Sequence, residues 1–405
     1  MKLDGLKTPY FVIDKEVLDE GLQNLKDSLE SAWGNYIIGY SYKTNALPWL
    51  IEYFKDHGCY AEVVSDDEYR LARSIGIDKS HIVYNGIAKS KETFLEAVKN
   101  HAIVNIDAEY EIDWLDELVV SEASECKNEQ YEVGIRVNFD LEERCPGHSQ
   151  CPEEGGRFGF CYENGELERA IERIRNKGVK LSGIHLHKSS KTRMPAVYKA
   201  IAEVAVEIGK KYDLELDYVD IGGGFFGGLE TKPKFPEYFD MVAGILKEQF
   251  DPQKTALVVE PGNALVASPI GYYTTVLDVK KTTHNTFVVT DGSRTQIDPL
   301  MTKKSYFHEI IKKDGSDNRV RLDKQLICGF TCMEHDHIFK VDNSEELMPG
   351  DQIIYQKVGA YTMCLTPLFI KWFPDVYLKD GDSICTIRHR WITENYIGRS
   401  SVNEE

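Results

Sequence analysis

Eight short apolar runs, separated by longer amphipathic segments, recur through the first two-thirds of the 405-residue chain. The runs are rich in β-branched and aromatic residues, as β-strands are, and the segments between them are long enough for crossover helices. Eight strand–helix units in succession predict an α/β fold, a closed (β/α)8 TIM barrel, with a doubly wound open sheet as the alternative. The predicted strands are YIIGYSY (36–42), CYAEVVS (59–65), HIVYNG (81–86), AIVNID (102–107), YEVGIRVN (131–138), LSGIHLH (181–187), LDYVDIGGG (216–224) and TALVVEPG (255–262).

The pattern changes after about residue 265, where short strands are joined by polar turns and no long helical stretch occurs. This pattern predicts a separate C-terminal β domain, a β-sandwich or β-barrel, and the lone strand PYFVID near the N-terminus could pair with it. We therefore expect a barrel domain at 14–268 and a β domain made of 1–13 and 269–405. The strands predicted in the β domain are GYYTTVLDVKKT, TFVVTDG, DQIIYQKVGAY and DSICTIRHRW.

The charge balance narrows the choice of partners. Acidic residues outnumber basic ones by 66 to 48, a formal net charge of −18, which disfavours nucleic acid or an anionic membrane as a partner. No run of about 18 apolar residues occurs. The N-terminus MKLDGLKTPYFVID lacks the apolar core of a signal peptide. We therefore expect a cytoplasmic protein with no membrane partner.

Nine cysteines are scattered along the chain without a CxxC pair, so a structural zinc site has little support. Cys145 and Cys151, in CPGHSQC, could form a disulfide or bind a metal, but free thiols in a surface loop are favoured in a reducing compartment. The run EHDH (334–337) also resembles a metal site. Consecutive strand residues point to opposite faces, however, so its side chains would not converge, and no metal is predicted.

Ionisable residues and glycines collect at the carboxyl ends of the predicted strands, where (β/α)8 barrels place their active sites. Each has an ordinary alternative. A strand-end lysine can extend to the surface, a glycine run is often only a tight turn, and a histidine or carboxylate can be a satisfied polar residue. Their coincidence at one end of one barrel favours an active site. These residues are Lys43, Glu62, Ser65, Arg136, His187, Gly222, Gly223, Gly224 and Glu260.

Six motifs connect these residues to a known family. They are YSYKTN, HLHKSS, VDIGGGFFGG, VVEPGN, GFTCMEHD and VGAYT, and the match runs from about residue 8 to residue 390. In their order and spacing the chain resembles the fold-type III pyridoxal-phosphate decarboxylases (diaminopimelate, ornithine and arginine decarboxylases), which are relatives of alanine racemase. The resemblance implies an enzyme that removes the α-carboxylate of an amino acid with pyridoxal 5′-phosphate as cofactor.

The resemblance also implies roles for the residues at the strand ends. Lys43 would form a Schiff base with the cofactor, and burial beside the cofactor would favour its neutral, nucleophilic form. His187 would stack on the pyridine ring, and Glu260 would pair with the pyridine nitrogen and keep it protonated. Glu62 and Arg136 would support the ring from its other edges. The phosphate would be held by Gly222, Gly223, Gly224, Ser190 and Tyr361, with Gly262 as a further cofactor contact.

Cys332 lies in the predicted β domain. The resemblance implies that this cysteine reaches the active site of the second subunit in a head-to-tail homodimer and donates a proton to the carbanion carbon, so that the two subunits share their sites. Asp336 keeps the family's spacing downstream of it. The ordinary alternative for Cys332 is a buried free thiol.

Three positions depart from the family pattern. Asn263 follows Glu-Pro-Gly where an arginine is usual, Met333 stands where an acid grips the substrate's distal amine, and Asp298 replaces an arginine of the diaminopimelate enzymes. The last two changes disfavour meso-diaminopimelate. Asp291 matches an acid that receives the distal amine in ornithine-type enzymes, and Glu334 or Asp298 could compensate for Met333. The predicted substrate contacts are Asp291, Asp298, Met333, Glu334 and Asp336, and a basic or a derivatised amino acid is expected.

Two other functions stay open at this point. A racemase or epimerase could use the same scaffold, but such enzymes set an arginine against the pyridine nitrogen, and Glu260 indicates a decarboxylase. A regulatory homologue without catalysis is disfavoured because Lys43, His187 and Cys332 are all present.

Overall fold

The computed structural model describes residues 5–125, 130–313 and 319–398. It contains two compact units, Leu22–Ala264 (the barrel unit) and Met1–Gly21 with Leu265–Glu405 (the β unit). The strands are β1 (Tyr10–Asp14), β2 (Tyr36–Ser41), β3 (Tyr60–Val63), β4 (Ile82–Tyr84), β5 (Ile103–Ile106), β6 (Glu132–Asn138), β7 (Phe160–Cys161), β8 (Lys180–His185), β9 (Tyr218–Asp220), β10 (Ala256–Val259), β11 (Ile270–Lys281), β12 (Thr286–Thr290), β13 (Phe307–Ile311), β14 (Arg321–Cys328), β15 (His337–Glu345), β16 (Gln352–Gln356), β17 (Asp375–Asp380) and β18 (Ser383–Arg388).

The helices alternate with the strands in the barrel unit and are short after it. They are α1 (Lys15–Ala32), α2 (Pro48–Asp56), α3 (Asp66–Ser74), α4 (Lys91–Lys99), α5 (Glu109–Glu125), α6 (Leu141–Arg144), α7 (Glu166–Asn176), α8 (Pro195–Lys211), α9 (Phe235–Leu246), α10 (Asn263–Val266), α11 (Arg294–Ile297) and α12 (Thr393–Ile397). Two 3₁₀ turns, Tyr42–Thr44 and Lys79–His81, precede α2 and β4.

The barrel unit is a closed ring of eight parallel strands. Pairing runs β5-β4-β3-β2-β10-β9-β8-β6, and a further β5–β6 pairing closes the ring. All eight predicted strands are present and the predicted TIM barrel is confirmed. The short strand β7, which pairs with β6, was not predicted.

The amphipathic pattern of the helices explains how they cover the ring. In α7, Leu167, Ala170, Ile171 and Ile174 are buried at the i, i+3, i+4, i+7 spacing of one helix face. The strands are apolar on both faces because one meets the helices and the other fills the barrel; all four residues of β10 are buried.

The barrel interior is filled partly by one large side chain. The Tyr218 ring from β9 occupies space that a Cβ at Gly134 or Gly183 would enter, so glycine is required at these positions of β6 and β8. Its hydroxyl donates a hydrogen bond of 2.8 Å to Asn105 Oδ1. A buried polar chain therefore starts inside the barrel.

The β unit is a nine-stranded mixed sheet, ordered β15-β14-β12-β11-β1-β17-β18 along its main path. The strand β11 branches: residues 270–275 pair with β1 and β16, and residues 276–281 pair with β12. The N-terminal strand β1 lies between β11 and β17. The expectation that PYFVID joins the C-terminal β domain is therefore confirmed.

In the three described segments, no helix combines the length and the apolar character that crossing a membrane requires.

Candidate active site

Lys43 lies in the 3₁₀ turn that follows β2, at the carboxyl end of the barrel strands. Its Nζ donates a 2.6 Å hydrogen bond to Oε2 of Glu62 on β3. The Ser41 hydroxyl donates to the same oxygen, also at 2.6 Å. Glu62 is 1 % exposed, whereas the Lys43 side chain is 40 % exposed. The strand-end lysine thus has a buried carboxylate as partner and remains accessible from outside.

Asn85, directly after β4, joins two carboxylates. Its Nδ2 donates to Glu62 Oε1 at 3.1 Å and also to Glu260 Oε1. Its own Oδ1 accepts a 2.9 Å hydrogen bond from Asn105, which Tyr218 holds in turn. The network therefore runs from the barrel interior to both acids. Sequence reasoning missed Asn85, although it is a polar residue at the end of a predicted strand.

Glu260 follows β10 and is buried against His185 and Asp220. His185 Nε2 lies 3.5 Å from Glu260 Oε1. One nitrogen or oxygen atom from each of the three side chains lies within 4.8 Å of the other two. Burial alone raises the pKa of Glu260, but His185 and Lys43 outweigh it and keep that pKa well below its usual range. Burial and the neighbouring Glu260 raise the pKa of Asp220 well above its usual value. These two opposite shifts favour the ionised form of Glu260 and the neutral form of Asp220.

The run of three glycines after β9 packs against His187 and Glu260. Gly222 has φ +69° and Gly224 φ +95°, both in the left-handed region, and a Cβ at Gly222 would overlap the His187 side chain. Gly222 O accepts a 2.9 Å hydrogen bond from Glu260 N. Only glycine permits the backbone to pack this closely against His187 and Glu260. The run therefore has no side chains to cover its backbone at the carboxyl end of the barrel.

His187 accepts a 3.3 Å hydrogen bond from Gly223 N at its Nδ1. Burial lowers the pKa of His187 to about 3, so the imidazole is neutral near pH 7. Its ring is close to parallel with that of His185, at 15° and 6.4 Å between centroids. A neutral aromatic face is thus presented next to the glycine run. His185 was missed as a site residue, although its i, i+2 spacing from His187 places both on one strand face.

Four further predicted residues lie in the barrel unit, and each has a described contact. Arg136 on β6 forms a 3.2 Å ion pair with Asp107, and its guanidinium lies 4.6 Å from the Phe158 ring. Ser190 Oγ accepts hydrogen bonds from the backbone N–H groups of Thr192 (3.1 Å) and Arg193 (2.9 Å). Gly262 is packed against Thr44, beside Lys43. Ser65 caps α3 by accepting from Glu68 N at 3.2 Å.

The remaining predicted residues belong to the β unit. Cys332 and Glu334 are exposed and Met333 is half-buried in the loop between β14 and β15. Asp336 is buried and accepts hydrogen bonds from Ser293 Oγ (3.0 Å), from Arg294 N (3.0 Å) and from both N and Oγ1 of Thr331 (3.2 and 2.7 Å). These donors fasten the loop that carries Cys332.

The other two predicted acids of the β unit are also engaged. Asp298 accepts hydrogen bonds from the Arg294 guanidinium, the Tyr306 hydroxyl and two backbone N–H groups. Asp291 accepts from the Thr8 hydroxyl at 2.6 Å and from Thr275 N at 2.8 Å. A substrate ammonium would have to compete with these donors, and the substrate roles of both acids stay predictions. Tyr361 has φ +56° and is 41 % exposed.

The cysteines that raised a disulfide or metal alternative are free thiols. Cys145 is buried and Cys151 is exposed, and the other described cysteines are also free. Cys126 lies outside the described residues.

Comparison with known proteins places this geometry in a family. The protein-family model described as "Pyridoxal-dependent decarboxylase, pyridoxal binding domain" matches residues 19–267 of this chain. The chain is 25 % identical over 402 residues to the probable chloroplastic diaminopimelate decarboxylase of Oryza sativa subsp. japonica, covering 96 % of this chain and 79 % of that protein. It is 24 % identical over 416 residues to the L-glutamyl-[BtrI acyl-carrier protein] decarboxylase of Niallia circulans, covering 98 % of this chain and 95 % of that protein.

Solved structures share the fold over nearly the whole chain. Diaminopimelate decarboxylase from M. jannaschii, in complex with L-lysine, matches with a TM-score of 0.85 at 22 % identity, covering 99 % of this chain and 93 % of that one. The arginine decarboxylase of Paramecium bursaria Chlorella virus matches with a TM-score of 0.75 at 18 % identity, covering 93 % and 97 %. The relatives named here are decarboxylases, so the racemase alternative receives no support.

The barrel residues fit pyridoxal phosphate. At this end of the barrel, the buried Nε of Arg136 has no hydrogen-bond partner within the described residues, and buried polar atoms normally have one. A Cβ at Gly222 or Gly223 would overlap His187 or the Glu260 backbone. The run therefore carries no side chains that would keep a phosphate away from its backbone. An accessible amine, a neutral imidazole face and an ionised carboxylate meet beside it.

The family match covers more than half of the chain, and the lysine, histidine, glycine run and glutamate lie together at the carboxyl end of the barrel. The cofactor is pyridoxal phosphate and the activity is that of an amino-acid decarboxylase. This chain belongs to the family of pyridoxal-dependent decarboxylases.

Proposed function

We propose that this enzyme removes the α-carboxylate of an amino acid at the carboxyl end of its barrel, with Lys43 as the residue that bonds to the cofactor. The observation that carries the proposal is the 2.6 Å contact between Lys43 Nζ and Glu62, connected through Asn85 to Glu260. Pyridoxal phosphate, when bound, supplies the electron sink that accepts the electrons left as CO₂ departs.

The carboxylates have separate tasks in this proposal. Glu62 accepts a hydrogen bond from the Lys43 ammonium and can hold the proton that the amine loses when it becomes a nucleophile. Glu260 is kept ionised by His185 and Lys43, so it would accept a hydrogen bond from a protonated pyridine nitrogen. Asn85 donates to both acids and fixes their oxygens, which keeps the two tasks apart.

His187 and the glycine run would hold the flat and the anionic parts of the cofactor. The imidazole is neutral because burial lowers its pKa to about 3, and a neutral ring can stack on a pyridine without charge repulsion. In the glycine run, the N–H groups of Gly222 and Gly223 donate to Asp220 Oδ1 (2.8 Å) and His187 Nδ1 (3.3 Å). The Gly224 N–H, with the hydroxyls of Ser190 and Tyr361, would therefore supply the donors to the phosphate. Arg136, with its Nε unpaired within the described residues, would support the ring.

Cys332 would return a proton to the carbon that has lost CO₂, and it would do so in the site of a partner subunit. The support is its exposure on a loop that Asp336 holds by four hydrogen bonds. A head-to-tail homodimer with shared sites follows from this assignment. A reducing, cytosolic compartment also belongs to the proposal, because an enzyme that uses a free thiol needs it reduced.

The proposed substrate is a derivatised amino acid rather than one with a free distal ammonium. Met333 carries no charge where an acid would grip that ammonium, and Asp298 and Asp291 already accept hydrogen bonds from their own unit. A relative that matches 98 % of the chain is the decarboxylase of an L-glutamyl group on an acyl-carrier protein. Decarboxylation of a derivatised amino acid therefore occurs in proteins about as similar to this chain as the diaminopimelate enzymes are.

The direct test is CO₂ release by the purified protein with pyridoxal phosphate, from a panel of free basic amino acids, meso-diaminopimelate and side-chain-acylated amino acids. We expect release from acylated compounds and little from ornithine or meso-diaminopimelate. Lys43→Ala should be inactive and Lys199→Ala, an exposed lysine on α8, should match the wild type. Faster turnover of ornithine than of every acylated compound would contradict the substrate proposal.

A further inference from the structure

A cavity of about 450 Å³ lies within the barrel unit beside His187. Its walls are the segments 139–141, 149–151 and 154–158 and the residues 187–189. One side of His187 contacts the glycine run and the residue also lines the cavity, so the cavity adjoins the proposed cofactor site. Its volume falls in the range of roughly 300–1,000 Å³ that holds small-molecule ligands.

Lys188 brings a positive charge into this cavity. Its Nζ donates a 2.7 Å hydrogen bond to Asn138 Oδ1 and lies 5.0 Å from the Phe139 ring. Over the described ranges, no carboxylate oxygen lies within 4.0 Å of this ammonium. Burial lowers the pKa of Lys188 to about 8, so most of the population is charged at pH 7. A half-buried cation without an ion-pair partner is costly unless a ligand supplies the anion.

The acids near Lys188 are used elsewhere. The Asp140 carboxylate caps α6 by accepting from Glu143 N at 3.1 Å. Glu163 accepts hydrogen bonds from Asp140 N (2.9 Å) and from Cys161 Sγ (3.4 Å). Glu154 lines the cavity but is exposed to solvent. None of these carboxylates neutralises Lys188 at short range.

A second cation lines the same cavity. The Arg157 guanidinium lies 4.5 Å from the centre of the Phe158 ring. The Arg136 guanidinium lies 4.6 Å from the same ring. Arg157 has no salt bridge to a described carboxylate. Two cations and an aromatic ring thus converge on a cavity that begins at His187.

We propose that Lys188 is a specificity-determining residue that binds a carboxylate on the distal part of the amino-acid substrate, with Arg157 as a second cationic contact. The proposal rests on the proposed decarboxylase function and adds the charge of the group carried by the derivatised amino acid. It accounts for the uncharged Met333 in place of an acid, because an anionic substrate needs no acid to grip it.

The test uses pairs of compounds that differ only in the distal group, a carboxylate against its amide. The pairs are L-glutamate with L-glutamine, L-2-aminoadipate with its δ-amide, and Nδ-succinyl-L-ornithine with its succinamoyl counterpart. We expect kcat/KM for the best carboxylate to exceed that of its amide by about ten- to a hundred-fold, the value of one charged hydrogen bond. The chain length that gives the largest ratio reports the reach from the cofactor to Lys188.

Variants assign the ratio to one side chain. In Lys188→Met the carboxylate/amide ratio of kcat/KM should fall to about one, and Lys188→Arg should retain the preference. Lys191→Met, three residues along the same loop and exposed, should match the wild type. An equal rate for carboxylate and amide in the wild type, or a ratio that survives in Lys188→Met, would overturn the proposal.

Binding separates failure of this proposal from failure of the proposed function. If the wild type decarboxylates no compound of the panel, calorimetric titration of the cofactor-loaded protein with the same pairs still measures the preference. Tighter binding of the carboxylates, lost in Lys188→Met and kept in Lys191→Met, would support the anion site while the decarboxylation assignment falls. Equal binding of carboxylate and amide would overturn the anion site whatever the turnover.

Discussion

The barrel unit and the β unit hold their ionisable side chains in different ways. In the barrel unit, Lys43 donates directly to Glu62, and Asn85 joins Glu62 to Glu260. The Lys43 amine remains accessible. In the β unit, Asp298 and Asp336 are buried and accept hydrogen bonds from several groups of that unit. The comparison indicates that the residues suited to hold the cofactor lie together in the barrel unit, whereas the buried acids of the β unit hold its loops, among them the loop that carries Cys332.

The largest expected effect is loss of the amine. Lys43→Ala should reduce turnover by about 10³-fold or more, because no other amine of the described residues pairs with Glu62. The cofactor's absorbance band should also change, while the circular dichroism spectrum stays that of the wild type. Lys199→Ala is the matched control. Substantial turnover in Lys43→Ala would mean that the barrel network is not the catalytic centre.

The second prediction joins the two regions. Lys43→Ala and Cys332→Ala should each be close to inactive, and their mixture should recover about a quarter of wild-type activity. Random assortment makes half of the dimers mixed, and each mixed dimer has one site without either lesion. A mixture of Lys43→Ala with Glu260→Gln, two lesions of the same unit, should show no recovery. If the Cys332 mixture also stays inactive after subunit exchange, each subunit uses its own cysteine.

The third prediction concerns the ionised carboxylate. Glu260→Gln should retain the cofactor and lose about ten- to a hundred-fold in turnover, because a neutral partner cannot hold a ring nitrogen protonated and one charged hydrogen bond is worth about 1.5–3 kcal/mol. Steady-state kinetics together with the cofactor's spectrum measure both effects. Unchanged kcat would reduce Glu260 to a turn residue.

The fourth and smallest effect tests the bridge between the two acids. Asn85→Ala should lower the free energy of unfolding by about 1–3 kcal/mol, because buried oxygens of Glu62 and Glu260 lose a donor. Asn24→Ala, exposed on α1, should have little effect. Urea unfolding of the cofactor-free protein followed by fluorescence measures the difference. Equal stability of the two variants would show that Asn85 does not link the acids.

Much of the barrel could be predicted because its signals are local. The eight strands follow from apolar runs, and Lys43, His187 and Glu260 follow from their positions at strand ends. The strand β13 was missed because four of its five residues are exposed and only Ile310 is half-buried, so no inward and outward alternation marks it. The strand β14 likewise begins with exposed and half-buried residues.

The parts of the site that could not be predicted depend on distant partners. Asn85 acquires its role from Glu260, 175 positions away in the chain, and an asparagine before a glycine otherwise suggests a turn. Asp298 was predicted to contact substrate because it replaces an arginine of related enzymes. Its contact with Tyr306 depends on the fold of the loop that follows α11. Such pairings appear only when the chain is folded.

The most direct test of the central claim is to reduce the cofactor-loaded enzyme with borohydride, digest it and locate the modified lysine by mass spectrometry. The account predicts a phosphopyridoxyl group on the peptide that contains Lys43 and an unmodified Lys188. If another lysine, such as Lys188 or Lys89, carried the phosphopyridoxyl group and Lys43 were unmodified, the account would be contradicted.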